Sequence, residues 1–473
     1  MASFEDGFVD TLKQEIPISR VMESFGITLK KTGRTLSCCS PFREEKTPSF
    51  HVYDDEASYH DYGDGNSGDT LKFIMDYKGV GFVDAVKELA SIGGIPVAYK
   101  QTNFSKKQQS HFQSAKAIKE INAWASDEFN TSLQTDENAL NYLTNLRGIS
   151  KESIQKFNLG YAPKGWTFIK DQIKPELQGA MVKADLLVIN NNGKLYDKFR
   201  DRIMFPIKDS RGDVVGFGGR IVTADDKTAK YTNTSNNAAY SKSEVLYGLH
   251  ETLTENRNPP MITVVEGYLD VVKMHQYGFT STVASSGTAI SEAQIKKLLN
   301  YTDQLNFTFD GDKAGFSAAC KAIDTVIPLI DDGKSVTVTF LPQGLDPDSI
   351  LTDEKGATQL QRFLKDRMPM ADFIYHRITE GKELFLARDG GSANRADISH
   401  NITSVAKKAV DTISTMPNGI YRDTVCSYIA NALDLHPDRI MKAVDEKRLA
   451  ENNLKQKRGA TLAPIKTRHQ RTM

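Results

Sequence analysis

The sequence lacks the features that would place it in a membrane or in an oxidising compartment. It has no apolar run long enough to span a bilayer, and no apolar segment near Met1 of the kind that signal peptides carry. It has only four cysteines in 473 residues, which argues against a framework of disulfides. We therefore expect a protein that is reduced and cytoplasmic, with no membrane partner.

The sequence also lacks an excess of charge of either sign. Lysine and arginine together number 60, and so do aspartate and glutamate, so the formal net charge is zero. A polyanionic partner would therefore need a local basic surface. The chain is too long for a single hydrophobic core, and we expect two to four domains.

The most informative stretch contains four strand-length apolar runs, with helical patterns between them. The runs are Thr263–Val265, Thr280–Ala284, Leu305–Phe309 and Ser335–Leu341. Strands that alternate with helices at this spacing predict a parallel sheet with right-handed crossovers.

Acidic residues follow three of these runs in pairs. The pairs are Glu266 with Asp270, Asp310 with Asp312, and Asp346 with Asp348. Ligands of a parallel sheet bind beyond the carboxyl ends of its strands, where all six side chains would meet. Carboxylates gathered at one place repel each other unless a cation neutralises them, and such oxygen ligands suit Mg²⁺ or Mn²⁺. We predict that these six acids form a metal site, although a single acid after a strand is usually only a solvated turn.

Two strings in this stretch resemble the motifs of a known domain. E-G-Y-L-D and D-G-D-K-A-G are similar to the glutamate and DxD motifs of the Toprim domain, which DnaG-type primases, topoisomerases and some nucleases share. The later string L-P-Q-G-L-D-P-D-S resembles the primase version. The resemblance implies that Glu266, Asp310 and Asp312 are catalytic.

The N-terminal region resembles the template-reading domain of DnaG-type primases through the string P-F-R-E-E-K-T-P-S-F. That domain normally holds one zinc ion through three cysteines and a histidine. The aligned ligand positions are Ser40, Arg43, Asp61 and Asp64. None of them is a thiolate or an imidazole, so we expect no zinc. We predict instead that Arg43 pairs with Asp61, Asp64 or both.

One alternative keeps a metal in this region. Cys38 and Cys39 are adjacent and cannot chelate as a spaced pair. His51 and His60 would have to join Cys39 in a rearranged site. We prefer the simpler interpretation, in which the two cysteines lie in a buried strand.

The middle of the chain carries basic and glycine-rich strings in the order found in DnaG-type primases. These strings include R-D-R-I-M-F-P-I, G-F-G-G-R and K-Y-T-N-T. Arginine and lysine beside glycines suit phosphate groups, although each charge alone could be a solvated surface residue. The predicted nucleotide- or template-binding residues are Arg147, Arg202, Gly218, Gly219, Arg220, Lys230, Tyr231, Asn233 and Lys242.

The predicted fold class is a multidomain α/β protein. It combines a small α+β, zinc-ribbon-like domain with lost ligands, a primase core with a parallel Toprim sheet, and a helical subdomain. The predicted segments are a degenerate zinc-binding-like domain (1–100), a linker (101–115), the basic part of an RNA polymerase core (116–258), a Toprim domain (259–367), a helical subdomain (368–448) and a disordered basic tail (449–473).

These resemblances imply a DNA primase that makes short RNA primers by metal-dependent nucleotidyl transfer. Its expected cofactor is Mg²⁺ or Mn²⁺. Its expected partners are a single-stranded DNA template, ribonucleoside triphosphates and a replicative helicase. The alternatives are a Toprim-family nuclease and a non-catalytic single-stranded DNA-binding adaptor of replication. The changed zinc positions favour a phage or mobile-element origin as a hypothesis, in which case the protein would act in the cytoplasm of a bacterial host.

Overall fold

The computed structural model describes residues 4, 7–32, 35–43, 45, 47–95, 97, 106–223, 228–285, 287, 289–380 and 395–461. The chain divides into two compact units, residues 1–109 and 110–473. Within the described residues, no helix combines the length and the apolar character that crossing a bilayer requires.

The first unit is a five-stranded antiparallel sheet with four helices. The helices are α1 (Phe8–Glu15), α2 (Ile18–Ser24), α3 (Thr70–Lys78) and α4 (Phe82–Gly93). The strands are β1 (Lys30–Thr32), β2 (Thr35–Cys38), β3 (Phe50–Tyr53), β4 (Ser58–Asp61) and β5 (Ser67–Asp69). The strands lie in sequence order, as in a meander. The small α+β domain that the sequence predicts is therefore present.

Aromatic side chains fill the core of this unit. Phe50, Tyr59 and Phe73 are almost completely buried, and the rings of Phe50 and Tyr59 stack with centroids 4.8 Å apart. Alternation along β3 sends Phe50 and Val52 inward. These rings pack among aliphatic side chains such as Leu12 and Val86 in the same core.

The first part of the second unit consists of helices packed around an antiparallel sheet. Its helices are α5 (Lys106–Thr135), α6 (Glu137–Asn141), α7 (Lys151–Lys156), α8 (Phe168–Gln172), α9 (Gln178–Lys183) and α10 (Leu249–Glu255). Its strands are β6 (Gly160–Ala162), β7 (Leu187–Ile189), β8 (Leu195–Asp197), β9 (Arg202–Lys208), β10 (Val214–Ile221) and β11 (Tyr231–Asn233). The sheet has the order β11-β10-β9-β6, while β7 and β8 form a separate hairpin.

The predicted linker over 101–115 is only partly correct. Helix α5 begins at Lys106, so the chain is helical over the second half of that range. Glutamine, lysine and serine are the commonest residues over 106–115, and lysine and glutamine are good helix formers. Residues 101–105 lie outside the described part of the chain.

The second sheet is the predicted Toprim-like sheet. Its strands are β12 (Ile262–Val265), β13 (Thr282–Ala284), β14 (Gln304–Phe309), β15 (Ser335–Phe340) and β16 (Met368–Pro369). Its helices are α11 (Tyr268–Gln276), α12 (Glu292–Leu298), α13 (Lys313–Val326), α14 (Pro347–Ile350) and α15 (Gly356–Lys365). The order is β13-β12-β14-β15-β16, and the first four strands are parallel, as predicted. The two-residue β16 pairs antiparallel with β15 and is too short to show a period in the sequence.

Four helices follow the parallel sheet in the described residues up to 461. They are α16 (Met370–Ile378), α17 (Arg395–Ile413), α18 (Ile420–Ala432) and α19 (Pro437–Thr461). Their apolar faces share one core with the parallel sheet, in which Phe307, Phe373 and Ile429 are buried. The prediction of disorder from residue 449 is wrong up to Thr461, because α19 continues to that residue through strong helix formers. Residues 462–473 lie outside the described range.

Candidate active site

The acidic pairs lie where the sequence predicts them, just beyond the strands of the parallel sheet. Glu266 follows the last residue of β12, and Asp310 follows the last residue of β14. Since β12, β14 and β15 are parallel neighbours, the turns after them meet at one edge. A side-chain carbon on Gly311 would lie 2.0 Å from the carbonyl oxygen of Leu341, so only glycine lets the Asp310 turn pack against the chain after β15.

The acids at this edge, which we call the acidic edge, influence each other electrostatically. Burial raises the pKa of Glu266, and the charges of Asp310 and Asp312 raise it further. Burial also raises the pKa of Asp310, with added contributions from Asp346 and Asp312. Side chains from three successive turns therefore share one region of excess negative charge, which an external cation would relieve.

The partners of these side chains differ. Asp312 accepts a hydrogen bond from the backbone N–H of Gly315 at 2.7 Å and caps α13, and Asp346 caps α14 in the same way. By contrast, Glu266 and Asp310 have no hydrogen-bond or ion-pair partner among the residues that the structure describes. These two carboxylates remain available to a ligand.

Asp270 lies beneath the acidic edge. Its carboxylate accepts hydrogen bonds from the backbone N–H groups of Gly267 at 3.0 Å and Asp348 at 3.2 Å. Burial, followed by the charge of Asp346, raises the pKa of Asp270 to about 7. These hydrogen bonds tie the start of α11 to α14.

Asp348 is also buried and has two cationic neighbours. Its carboxylate lies 3.1 Å from Arg147 and 3.8 Å from Lys273. Lys273 is 1% exposed, and its ammonium also donates a hydrogen bond to the hydroxyl of Thr352 at 3.1 Å. We did not predict Lys273 from the sequence. The available signal was a lysine within the apolar helical pattern of α11.

No three His, Cys, Asp or Glu side chains in the described ranges already converge as a metal site. The donor chemistry nevertheless fits a hard divalent cation, because half-buried carboxylates with mutually raised pKa values favour charge compensation. The structure thus brings the six predicted acids to one edge, with Asp270 and Asp348 already held by protein groups. The assignment of all six as metal ligands stays a prediction.

Arg220 lies in β10 close to the acidic edge. Its guanidinium donates hydrogen bonds to the hydroxyl oxygens of Tyr142 at 2.8 Å and Tyr231 at 2.7 Å. Arg220 is also among the cations that hold down the pKa of Asp348, which burial raises. Tyr142 also contacts Arg147, whose guanidinium lies 5.5 Å from the centre of the Tyr142 ring. Arg220 and Arg147 are thus fixed in place before any ligand arrives.

Arg202 has a different place from the one predicted. Its guanidinium donates to the carbonyl oxygens of Gly219 at 3.0 Å and Ala229 at 2.9 Å, and the residue is buried. Burial lowers its pKa. Since its donors face backbone carbonyls, Arg202 fixes the segment that enters β11. A contact of Arg202 with nucleotide or template stays a prediction.

Gly218 and Gly219 are required by packing within the protein. A side-chain carbon on Gly218 would lie 2.4 Å from the ring of Tyr268, and one on Gly219 would lie 2.8 Å from the ring of Phe199. The sequence suggested close approach to a ligand, whereas the observed close approach is to aromatic rings. The hydroxyl of Tyr268 also donates to the amide oxygen of Asn233 at 3.0 Å, which joins α11 to β11.

The two predicted lysines differ from the arginines in their partners. Lys230 is exposed and Lys242 is half-buried. Within the described residues, neither ammonium has an ion-pair partner. Both remain able to contact a polyanion.

The former zinc-ligand positions of the first unit form an ion-pair cluster. Arg43 donates to both carboxylate oxygens of Asp61 at 2.6 and 2.7 Å, and it lies 3.4 Å from Asp64. The hydroxyl of Ser40 donates to Asp61 at 2.6 Å. Burial alone would raise the pKa of Asp61, but hydrogen bonds from Arg43 and Ser40 lower it to about 2. The prediction that Arg43 pairs with Asp61, Asp64 or both is confirmed.

Glu45 completes this cluster and was missed. It accepts hydrogen bonds from Arg43 at 2.9 Å, from the backbone N–H of Ser40 at 2.6 Å and from the hydroxyl of Ser49 at 2.7 Å. A hydroxyl, a guanidinium and paired carboxylates do not fit zinc, which prefers thiolates and imidazoles.

The residues of the alternative zinc site are spread over the same sheet. His51 and His60 face each other across β3 and β4, and each ring contacts Tyr62 edge-on. Cys38 is buried, and burial raises the pKa of its thiol to about 11, whereas Cys39 is exposed. In the described residues of this sheet, these groups do not form a cluster that could hold a metal.

Three protein-family models match the chain. The CHC2 zinc finger matches residues 4–105, the N-terminal domain of the DNA primase catalytic core matches residues 128–253, and a Toprim-like domain matches residues 263–351. The zinc-finger model matches although the residues at the ligand positions have changed.

Curated relatives and solved structures agree with these matches. The DNA primase of Haemophilus influenzae is 32% identical over 453 residues, which cover 95% of this chain and 74% of that protein. The DNA primase of Pseudomonas aeruginosa is 39% identical, and the match covers 78% of this chain and 56% of the relative. A DnaG primase catalytic domain bound to single-stranded DNA is 31% identical with a TM-score of 0.61, covering 69% of this chain and 99% of that one. The zinc-binding and RNA polymerase domains of Aquifex aeolicus primase are 27% identical with a TM-score of 0.58, covering 93% and 100%.

Proposed function

Because this chain belongs to the DnaG-type DNA primases, we propose that its acidic edge joins ribonucleotides into short RNA primers on a single-stranded DNA template. The observation that carries the proposal is the edge itself, where six carboxylates gather and two of them, Glu266 and Asp310, have no partner among the described residues. A Toprim nuclease would not need the primase-specific region that matches residues 128–253. A non-catalytic adaptor would have no reason to keep all six acids.

The cation proposed for this edge is Mg²⁺, with Mn²⁺ as a substitute. Glu266 and Asp310 would be its first ligands, and Asp312 and Asp346 would be able to join by turning away from the helix N-termini that they cap. When bound, the cation neutralises the triphosphate and the charge that develops on the pyrophosphate leaving group. Without the cation the negative charges of these carboxylates repel each other, and this repulsion favours binding of the cation.

Asp270 and Asp348 have a supporting role in this proposal. Asp348 is held by Arg147 and Lys273, and Asp270 receives the backbone N–H of Asp348. The resulting network fixes α11 against α14, and therefore fixes the turn of Glu266 relative to that of Asp346. Preorganisation of this kind keeps the ligands in place during the reaction.

Lys230 and Lys242 would contact the phosphates of the template or of the incoming nucleotide. Both are free of ion pairs within the described residues, and both belong to the segments that follow β10. A related catalytic domain is bound to single-stranded DNA, which favours the same ligand here. Arg220, fixed by Tyr142 and Tyr231, would hold the triphosphate near the acidic edge. A replicative helicase belongs to the proposal as a partner, without an assigned contact site.

The test compares two aspartates that flank the same strand, β14. Asp310 follows the carboxyl end of β14, whereas Asp303 precedes its other end, where it pairs with Lys334 at 3.3 Å. The full chain is incubated with single-stranded templates, labelled ribonucleotides and Mg²⁺. We expect Asp310→Ala to lower primer synthesis by roughly 100-fold or more, because losing a metal ligand removes several kcal/mol of transition-state stabilisation.

The control variant Asp303→Ala should retain wild-type synthesis, and both variants should keep the wild-type melting temperature. Near wild-type synthesis by Asp310→Ala would remove that residue from the site. Absence of primers from the wild-type chain on every template would argue against the proposed reaction as a whole.

A further inference from the structure

Tyr142 lies in an unusual piece of backbone. Residues Tyr142–Leu146 form a single π-helical turn directly after α6, and the backbone N–H of Arg147 donates to the carbonyl oxygen of Tyr142 at 3.0 Å. Such turns are rare and occur frequently at functional sites. This one brings Tyr142 and Arg147 to the same side of the chain, where the guanidinium lies 5.5 Å from the ring centre.

The hydroxyl oxygen of Tyr142 accepts hydrogen bonds from two arginines that are far apart in the sequence. Nε of Arg220 donates to it at 2.8 Å, and Nε of Arg147 donates to it at 3.3 Å. A hydroxyl oxygen has two lone pairs, so these two bonds use its acceptor capacity. Because a guanidinium is a rigid plane, a bond to its Nε helps to set the direction of the terminal N–H groups.

The terminal nitrogens of the two guanidiniums have different partners. Nη1 of Arg220 donates to the hydroxyl of Tyr231 at 2.7 Å, and Nη1 of Arg147 donates to the carboxylate of Asp348 at 3.1 Å. Arg220 is buried, whereas the side chain of Arg147 is 27% exposed. Tyr142 therefore joins the arginine proposed for the triphosphate to the arginine that compensates an acid of the acidic edge.

We infer that Tyr142 is a positioning residue for nucleotide binding, which aligns Arg220 and Arg147 as one anion-binding pair beside the acidic edge. The inference rests on the proposed function, in which Arg220 holds the triphosphate, and adds to it the residue that orients both arginines. Two guanidiniums repel each other and would turn apart without a shared acceptor. The hydroxyl offsets part of this repulsion and keeps the two cations together, as recognition of a phosphate chain requires.

The substitution Tyr142→Phe removes the hydroxyl and keeps the ring. Primer synthesis by the full chain is measured at increasing ribonucleotide concentration. We expect KM for ribonucleotides to rise about tenfold, the size of one lost hydrogen bond to a charged group, because the phosphate contacts become less well aligned. We expect kcat to change by less than about twofold, because Glu266 and Asp310 are untouched.

The matched control is Tyr301→Phe, which removes a hydroxyl from a ring packed against the core of the parallel sheet. This control should keep the wild-type KM. The melting temperature of Tyr142→Phe should stay at the wild-type value, because the partly exposed Arg147 can turn toward water. A lower melting temperature with an unchanged KM would make Tyr142 a merely structural residue and overturn the inference.

Two further variants test whether Tyr142 acts through both arginines. Tyr231→Phe removes an acceptor of Arg220 alone, so KM should rise less than in Tyr142→Phe. In the Arg220→Met background, adding Tyr142→Phe should raise KM by no more than about threefold, because part of its effect is already lost. An equal rise in Tyr231→Phe, or an undiminished rise in the Arg220→Met background, would overturn the joint positioning of the two arginines.

An equilibrium measurement keeps the inference separate from catalysis. Binding of radiolabelled ATP with Mg²⁺ is measured by equilibrium dialysis without template, and Tyr142→Phe should weaken it about tenfold. If the wild-type chain makes no primers but binds ATP with this dependence on Tyr142, the proposed reaction fails and the positioning role stands. If primers are made and Tyr142→Phe changes neither KM nor ATP binding, the reaction stands and the inference is overturned.

Discussion

The chain contains two clusters of carboxylates, and their pKa values move in opposite directions. In the first unit, Asp61 and Glu45 have lowered pKa values because guanidinium, hydroxyl and backbone donors meet their oxygens. At the acidic edge of the second unit, burial and neighbouring acids raise the pKa values of Glu266 and Asp310, and the described residues offer these two carboxylates no hydrogen-bond donor. The side chains of the two clusters are chemically alike. Their pKa values differ because the two clusters obtain a compensating cation from different sources.

In the first cluster the cation is part of the polypeptide. Arg43 supplies a planar fork to Asp61 and reaches Glu45 with the remaining N–H groups. At the acidic edge no cation of the described residues forms an ion pair with Glu266 or Asp310, so compensation of these two charges is left to a ligand from solution. In this comparison the lowered pKa values belong to carboxylates that protein donors already meet, whereas Glu266 and Asp310 have raised pKa values and no such donor among the described residues.

The largest effect on stability should come from removing the internal cation. Arg43→Met leaves Asp61, which is 0% exposed, without its charged partner. Breaking a buried pair in this way costs about 3–5 kcal/mol, and the partial exposure of Arg43 places the expected loss near the lower end. Hydrogen exchange over residues 35–62 in denaturant would report it, with the exposed Arg211→Met as control.

A double variant sharpens this prediction. Arg43→Met combined with Asp61→Leu removes both charges and should recover part of the lost stability, because an uncompensated charge costs more than an absent pair. Equal stability of Arg43→Met and the wild type would mean that the cluster contributes nothing to the first unit.

The second prediction is that metal ions affect the stability of the second unit and not that of the first. Saturating Mg²⁺ should stabilise residues 110–473 by about 2.7 kcal/mol at one hundred times its dissociation constant, and Asp310→Asn should lose most of that gain. Chelation should leave the melting of residues 1–109 unchanged, and protein purified without added zinc should contain less than one zinc per chain. One tightly held zinc, with Cys39 protected from thiol reagents, would contradict this and favour the rearranged site.

The sequence predicts the acidic edge well because that edge depends on local patterns. Strand-length apolar runs and the turns after them place the acids, and the parallel sheet follows from the alternation with helices. The Arg43 pairing was also predictable, because the family alignment brings Arg43 and Asp61 to neighbouring positions. The same patterns do not show which acids are free, since that depends on N–H groups such as that of Gly315.

What the sequence did not predict depends on contacts between distant segments. Lys273 lies close to Asp348, which is 75 positions away in the sequence. The hydrophobic pattern of α11 does not by itself indicate that this lysine is buried. Arg202 and Gly218 contact Ala229 and Tyr268, so their roles follow from tertiary packing. The bounds of the predicted linker and tail differ from the structure for another reason, because polar residues typical of a linker are also good helix formers.

The third prediction concerns acid, and its effect is smaller. The pKa of Asp61 is about 2 in the folded unit against an ordinary value of 3.8, so the unfolded chain binds more protons between these values. The stability that Asp61 contributes is present above about pH 4 and is lost as the pH falls through 2. The shift corresponds to about 2 kcal/mol. Hydrogen exchange of the first unit at pH 5 and pH 2.5 would measure it, and Asp61→Asn should abolish that part of the pH dependence.

The smallest effect should come from one exposed cation near the acidic edge. Lys230→Ala removes a charge that has no ion pair within the described residues, so we expect no change in stability. Binding of single-stranded DNA should weaken a few-fold, and the slope of the logarithm of affinity against the logarithm of salt should fall by about one, as for one lost phosphate contact. Lys296→Ala is the control, because Lys296 is exposed on α12 and already paired with Glu292 at 3.3 Å. An unchanged salt slope in Lys230→Ala would place that lysine outside the path of the DNA and leave Lys242 as the free cation to examine.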